Sequence, residues 1–350
     1  MLFPNAGVEV SPVLLLFLGL VVGTLSGFFG VGGGFLITGG LLVFGVPPLF
    51  AVGTGLTLIV GSSIINTLKH RRIGNVDIKL GALMVVGTVP AVFLAEELNQ
   101  WLEKAGVAGP VLRYTYVVVL AALAGYKFYD HWKASRWLVG GQGDAVSTSS
   151  LIGRVHALRI PPASIPVPWL GRVFTTTTLP KSGIERISVW VPVGIGSAIG
   201  FMAGLLGAGG GFILLPVLIF VLGVPTTVAV GTDLFQVVIT GSVGSFLYSL
   251  EGRVDLVMSV MMLGTASAGS QLGVAAARYV DGARIRFLFG LTMIAGSVSV
   301  ALREVSESVS GLDYLADMGS VLLLGTAGAM CRVVGGLLVA AKRKNRAEFA

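Results

Sequence analysis

The chain has 350 residues, of which 54% are hydrophobic and only 12% charged, against the about 25% charged residues typical of a water-soluble domain. That leaves too little polar surface to cover a globule in water. With a mean hydropathy of +0.88, much of the exterior must be solvated by lipid, and the single cysteine, Cys331, excludes an internal disulfide framework or a multi-thiolate metal site.

In chain order, apolar stretches predict helices over 12–29, 34–45, 49–69, 77–96 and 111–129. A polar interval follows, and further helices are predicted over 188–206, 210–222, 227–249, 255–277, 284–302 and 318–340. Most approach the about 20 residues that a spanning helix needs. The stretches at 34–45 and 210–222 are too short to span, and each follows a glycine cluster, which marks a broken or re-entrant hairpin. The 12–29 segment lacks a basic leader and a clear cleavage site, so it reads as a retained helix. The interval 130–187 contains the proline-rich run 161–168 and no sustained helical period, and reads as a linker. The expected organisation is a first membrane repeat over 1–129, the cytoplasmic linker over 130–187, a second repeat over 188–302, and a last helix with a basic tail over 303–350.

Loop charge sets the orientation. Lys69, Arg71, Arg72 and Lys79, the basic residues of the middle interval, Arg278, Arg284 and Arg286, and the tail Lys342, Arg343, Lys344 and Arg346 all fall on one side. The other side carries Lys104, Arg113, Arg253 and Arg303 among Glu96, Glu97, Glu103, Glu251, Glu304 and Glu307. The basic side is expected to be cytoplasmic, with the N-terminus outside and the C-terminus inside a cell membrane. This topology accounts for the net charge of +7 without a nucleic-acid partner.

The two hydrophobic halves repeat. Gly19, Gly23 and Gly27 match Gly196, Gly200 and Gly204, and Gly27–Phe35 matches Gly204–Phe212. After a one-residue shift, Gly45-Val46-Pro47 matches Gly223-Val224-Pro225, Ala51–Thr54 matches Ala229–Thr232, and Gly74–Asp77 matches Gly252–Asp255. The basic run before Gly74 and the acid before Gly252 place equivalent loops on opposite sides. The expected fold is therefore all-α, a polytopic membrane protein with two inverted repeats and interrupted helices, the arrangement of secondary transporters.

The candidate site follows from the breaks. Gly30, Gly32, Gly33 and Gly34, and Gly207, Gly209, Gly210 and Gly211, form irregular backbone that survives in a bilayer only if it is buried by protein or lines a polar cavity. A helix restarts behind each cluster, so unpaired N–H groups and a positive dipole end face the break, as an anion site requires. Tight turns and close helix crossings would also explain the glycines. Thr54 and Thr232, Gln236 one turn beyond Thr232, and Asn66 are polar residues within the spans that could contact substrate, cap helices or bond between them. Asp233 stands inside an apolar span and either carries a coupling proton or caps the start of its helix. No side-chain constellation for catalysis, metal or another cofactor is visible within the spans. A small anion and the bilayer are the expected partners, and self-association is left open.

The Gly-x-x-Gly-x-Gly-Gly-Gly-Phe signature at 27–35 and 204–212, followed in each half by Gly-Val-Pro and Ala-Val-Gly-Thr, resembles the TauE/SafE sulfite exporter family over nearly the whole of both hydrophobic halves. The resemblance implies a membrane permease for small anions, often sulfur-containing, such as sulfite or organosulfonates, with its motifs falling on the two glycine clusters. The expected function is a secondary transporter, exporting such an anion by alternating access at the repeat interface. An anion channel is the first alternative, and a membrane-embedded enzyme the second.

Overall fold

The structure is a computed structural model that describes residues 2–3, 5–31, 33–137, 152–158, 164–167, 171–174, 176–277, 282–309 and 311–348. The first half holds α1 (Pro12–Phe29), α2 (Gly34–Val43), α3 (Pro48–Arg72), α4 (Ile78–Lys104) and α5 (Ala108–Trp137). The second holds α6 (Trp190–Leu206), α7 (Gly211–Phe220), α8 (Thr226–Leu250), α9 (Leu256–Ala277), α10 (Gly282–Ser308) and α11 (Tyr314–Glu348). Eight of these helices are long and apolar enough to cross a bilayer. Val86, Phe93, Leu94, Val118, Phe246 and Val260 stand exposed on their outer surfaces, the reverse of what water would select. The chain is an all-α, multi-pass membrane protein.

The short helices fold back on the ones before them. A Cβ on Gly33 would lie 2.8 Å from Ser26 Cβ, and one on Gly40 would lie 2.8 Å from Leu18 Cδ1, so α2 returns along α1. Likewise a Cβ on Gly210 would lie 2.6 Å from Ile199 Cγ2, so α7 returns along α6. Each half thus contains a re-entrant hairpin, as the short apolar stretches predict.

Packing between the halves is reciprocal. The glycine ladder of α1 lies on α9 of the other half, where a Cβ on Gly23 would come within 2.5 Å of Ala266 Cα. The equivalent ladder of α6 lies on α4, where a Cβ on Gly200 would be 2.7 Å from the Thr88 carbonyl oxygen. Removing the side chain lets backbones touch, which in lipid replaces the missing hydrophobic drive. Helices α3 and α8 cross each other, as do α5 and α10. The last pair is tied by Arg113, which is buried and bonded to Glu304 at 2.8 Å.

Among the described residues, three short antiparallel hairpins accompany the helices, β1–β2 (Leu2–Phe3, Val8–Glu9), β3–β4 (Ser164–Val167, Gly171–Phe174) and β5–β6 (Thr176–Leu179, Ile184–Ser188). The 130–187 interval therefore holds more structure than a linker. Helix α5 runs on to Trp137, and β5–β6 docks on the turn between α3 and α4. Leu179, Ile184 and Ile187 are buried there, and Ser182 Oγ donates to Asp77 Oδ2 at 2.6 Å. The sequence cue for this was weak, because a four-residue strand has no helical period to detect.

Candidate functional site

The two breaks meet at the centre of the protein. Gly30 and Gly207 end α1 and α6 in the left-handed conformation, at φ 72° and 68°, and Gly33 and Gly210 open α2 and α7 in the same region, at 72° and 77°. A side chain at these four positions would be strained, which is why the sequence places glycine at each. Each break reaches the other half. A Cβ on Gly34 would collide with the Ala208 carbonyl oxygen, and one on Gly211 would lie 3.0 Å from the Val31 carbonyl oxygen. Val31 and Ala208 are repeat equivalents, so each break presses its carbonyl against the helix start of the other. Phe35 and Phe212, the next residues, meet with ring centroids 5.6 Å apart and planes tilted by 39°. Neither helix start is capped by a side chain, so the opening N–H groups of α2 and α7 have no side-chain acceptor at this junction.

The predicted site residues divide in three. Gly30, Gly33, Gly34, Gly207, Gly209, Gly210 and Gly211 form the junction itself, and Gly32 lies outside the described residues. Asp233 joins them, since a Cβ on Gly211 would lie 2.8 Å from its Oδ2. It is fully buried and neither carboxyl oxygen has a hydrogen-bond partner, so it does not cap α8.

Thr54 and Thr232 are engaged elsewhere. Thr232 Oγ1 accepts from the Asp77 N–H at 3.0 Å, and Thr54 Oγ1 accepts from the Asp255 N–H at 3.0 Å. Each aspartate in turn caps its own helix, Asp77 accepting from Leu80 N–H and Asp255 from Met258 N–H, both at 3.0 Å. Two mirrored capping networks therefore bind the third helix of each half to the fourth of the other.

Gln236 and Asn66 stand outside the junction. The Gln236 amide nitrogen bonds Thr88 Oγ1, which donates to Gly196 O at 3.0 Å, and its amide oxygen is buried without a partner. Asn66 lies on the buried face of α3, two turns beyond Ile59, the α3 residue that packs on Gly34 and Gly209.

The sequence reading missed one group of residues. The predicted helix over 77–96 ended at Glu96, but α4 continues two turns further, to Lys104. Its buried positions, Met84, Thr88, Ala91, Ala95, Glu96, Asn99 and Leu102, repeat every three or four residues and put Glu96 on the inner face. That period was the available signal. The apolar run ends at Glu96-Glu97, which hid it.

At the C-terminal end of α4, two clefts share Leu49, Glu103 and Arg253. One, of about 230 Å³, is flanked by Pro47, Phe50 and Gly109. The other, of about 10 Å³, is lined by Glu96, Asn99 and Tyr248 among others. Among the described residues no cluster of three or more histidine, cysteine or acidic side chains is arranged to hold a metal ion.

Comparison with known proteins agrees with this architecture. Residues 15–300 match the family described as Sulfite exporter TauE/SafE. The chain is 23% identical to Probable membrane transporter protein YunE of Bacillus subtilis over 294 residues, covering 81% of this chain and 95% of that protein. It is 23% identical to Probable membrane transporter protein YjnA of the same organism, covering 75% of this chain and 88% of that one. A probable membrane transporter protein of Methanocaldococcus jannaschii is 33% identical over 124 residues, 34% of this chain and 45% of that protein. No solved structure gives a significant match.

Proposed function

The chain belongs to the TauE/SafE sulfite exporter family, and from that premise we propose that it is a secondary transporter of a small anion, sulfite or a related sulfur oxyanion or organosulfonate. Transport is outward across the cell membrane, by alternating access at the interface of two inverted repeats. The observation that carries this reading is the junction itself. Two uncapped helix starts converge on one point, with a buried, unpartnered carboxylate beside it. Uncapped N–H groups and positive dipole ends suit an anion. Asp233 suits it only when protonated, so binding of anion and proton assist one another, which is coupling by linkage.

The reciprocal pairing of α1 with α9 and α4 with α6 supports a two-fold relation between the repeats, because α4 also meets α8 as α9 meets α3, and the opposite charge of the equivalent loops supports their inversion. Close contact of Val31 with Gly211 and Ala208 with Gly34 favours a carrier over an open channel.

The direct test is flux in proteoliposomes with a panel of sulfite, sulfate, sulfoacetate and chloride. Saturable flux of one or more sulfur anions that accelerates with a proton gradient is expected. Linear, unsaturable flux of every anion would replace the carrier by a channel. Orientation is tested in a Cys331→Ala background. A cysteine at Ala105 should react with an impermeant thiol reagent in intact cells, and one at the exposed Ile73 only after permeabilisation. The reverse pattern would overturn the topology.

A further inference from the structure

The outer end of α4 holds two buried polar groups that the anion junction does not use. Glu96 is 9% exposed, and among the described residues it forms no ion pair. Its one partner is the Gln100 amide, which donates to Oε1 at 2.5 Å. The nearby guanidinium of Arg253 is committed to Glu103 at 2.6 Å and lies over the Phe50 ring. A carboxylate buried without a compensating charge is costly.

Asn99, one turn further on the same face, is fully buried. Its amide nitrogen donates to Leu205 O at 3.1 Å and to the Tyr248 hydroxyl oxygen at 2.5 Å, and that hydroxyl donates to Gly204 O at 3.1 Å. Both partners of the nitrogen are therefore acceptors, which fixes the way the amide faces. Its oxygen is left buried with no donor.

Glu96, Asn99 and Tyr248 line the same cavity of about 10 Å³, room for a single occupant the size of a water molecule. Water could donate to these oxygens but would leave the carboxylate charge uncompensated, whereas a hard cation answers the carboxylate, the amide oxygen and the hydroxyl oxygen together. Glu103, Glu251 and Arg253 also border the cavity, but Glu103 and Arg253 neutralise each other and Glu251 is exposed, so one buried, uncompensated carboxylate remains among neutral oxygens. That suits a monovalent ion, since calcium sites gather several carboxylates.

We infer that this cavity is a binding site for a monovalent cation of the size of Na⁺, held by Glu96, Asn99 and the Tyr248 hydroxyl. Asn99 and Tyr248 also grip the carbonyls of Leu205 and Gly204, the last turn of α6 before the second break. A cation that fixes Asn99 thereby fixes the end of α6, and its arrival or loss acts on the junction. This last link rests on the transporter reading, whereas the site itself does not.

The test uses the purified full-length protein in detergent, with Tm measured in NaCl, KCl and choline chloride at equal ionic strength and pH. NaCl is expected to raise Tm saturably by several degrees over choline chloride. Glu96→Gln should abolish that rise, and Glu97→Gln, which removes the exposed carboxylate of the same turn, should keep it. No difference between NaCl and choline chloride in the unmodified protein overturns the site in favour of water or a proton on Glu96. A rise unchanged in Glu96→Gln overturns it too, by placing the ion elsewhere. If Glu96→Gln yields no folded protein, Glu96→Asp serves instead. It should raise the half-effect Na⁺ concentration about tenfold or more, and an unaltered value overturns the proposal. Flux in proteoliposomes then separates the two readings. Anion flux indifferent to Na⁺ beside an intact Tm response removes the link to transport and leaves the site. Normal proton-driven flux with no Tm response removes the site and leaves the transporter.

Discussion

Beside the second glycine break stands the carboxylate of Asp233, while at the equivalent position in the first half Gly55 leaves a space that Thr38 fills. A Cβ on Gly55 would lie 2.5 Å from Thr38 Oγ1, and that hydroxyl donates to Gly207 O at 2.9 Å. The two breaks thus share their backbone, with left-handed glycines at both ends, and differ in what faces them. The same contrast recurs at the ends of α3 and α8. Tyr248 reaches Asn99 and Gly204, whereas the residue at its offset in the first half is His70, and at the offset of Asn99 stands Ala277. The repeated part of each half is therefore what builds the junction, glycines and caps. The unrepeated part, Asp233 on α8 and the Glu96–Asn99–Tyr248 group built from α4 and α8 together, has no counterpart across the repeat and gives the molecule a polarity that the backbone alone lacks.

The strongest way to break the shared part is to put a side chain where both halves need none. Gly33→Leu and Gly210→Leu each combine a left-handed backbone with a crowded site against α1 or α6. The two effects together are expected to cost about 2–5 kcal/mol. Transport should be lost in both, with similar losses of folded protein by size-exclusion chromatography. A variant that folds and transports normally would show that the break on that side does not form the junction described.

A smaller effect is expected from the unrepeated part. Asp233→Asn keeps shape and removes the proton-binding group. Folded yield and anion binding should persist. Unmodified protein should transport faster as pH on the loading side falls, and the variant should lose that dependence. Flux measured against pH for both proteins decides it, and an unaltered profile would remove Asp233 from coupling.

How far the sequence alone reached depends on whether a feature is local. The breaks were legible because glycine runs and short apolar stretches are contiguous, and Asp233 because an acid in an apolar helix stands out. Glu96 was hidden by its neighbour Glu97, which is exposed on the same turn and makes the pair read as the end of the span. The Thr232–Asp77 and Thr54–Asp255 bonds join residues 155 and 201 positions apart, so no window on the sequence contains them. Both threonines and both aspartates were nevertheless visible as repeat equivalents. What was missing was the partnership, which exists only because the third helix of each half meets the fourth of the other.

That partnership yields the smallest and most symmetrical prediction. Replacing Thr54 or Thr232 by valine preserves volume and deletes the acceptor for a buried Asp255 or Asp77 N–H. Leaving such a donor unpaired costs about 1–3 kcal/mol. Because the two bonds have the same length and the same burial, the two losses should agree within a few tenths of a kcal/mol, a spread typical of equivalent, independent sites. Unfolding in detergent measures both. Transport by the folded fraction should change little in either variant if these hydroxyls only bind helix to helix. A substrate-contact role predicts a different split: stability nearly unchanged, and a raised KM in one variant or both. Unequal stability losses would show instead that the two capping networks, alike in geometry, are not alike in energy, and the comparison between the halves would then fail in its shared part.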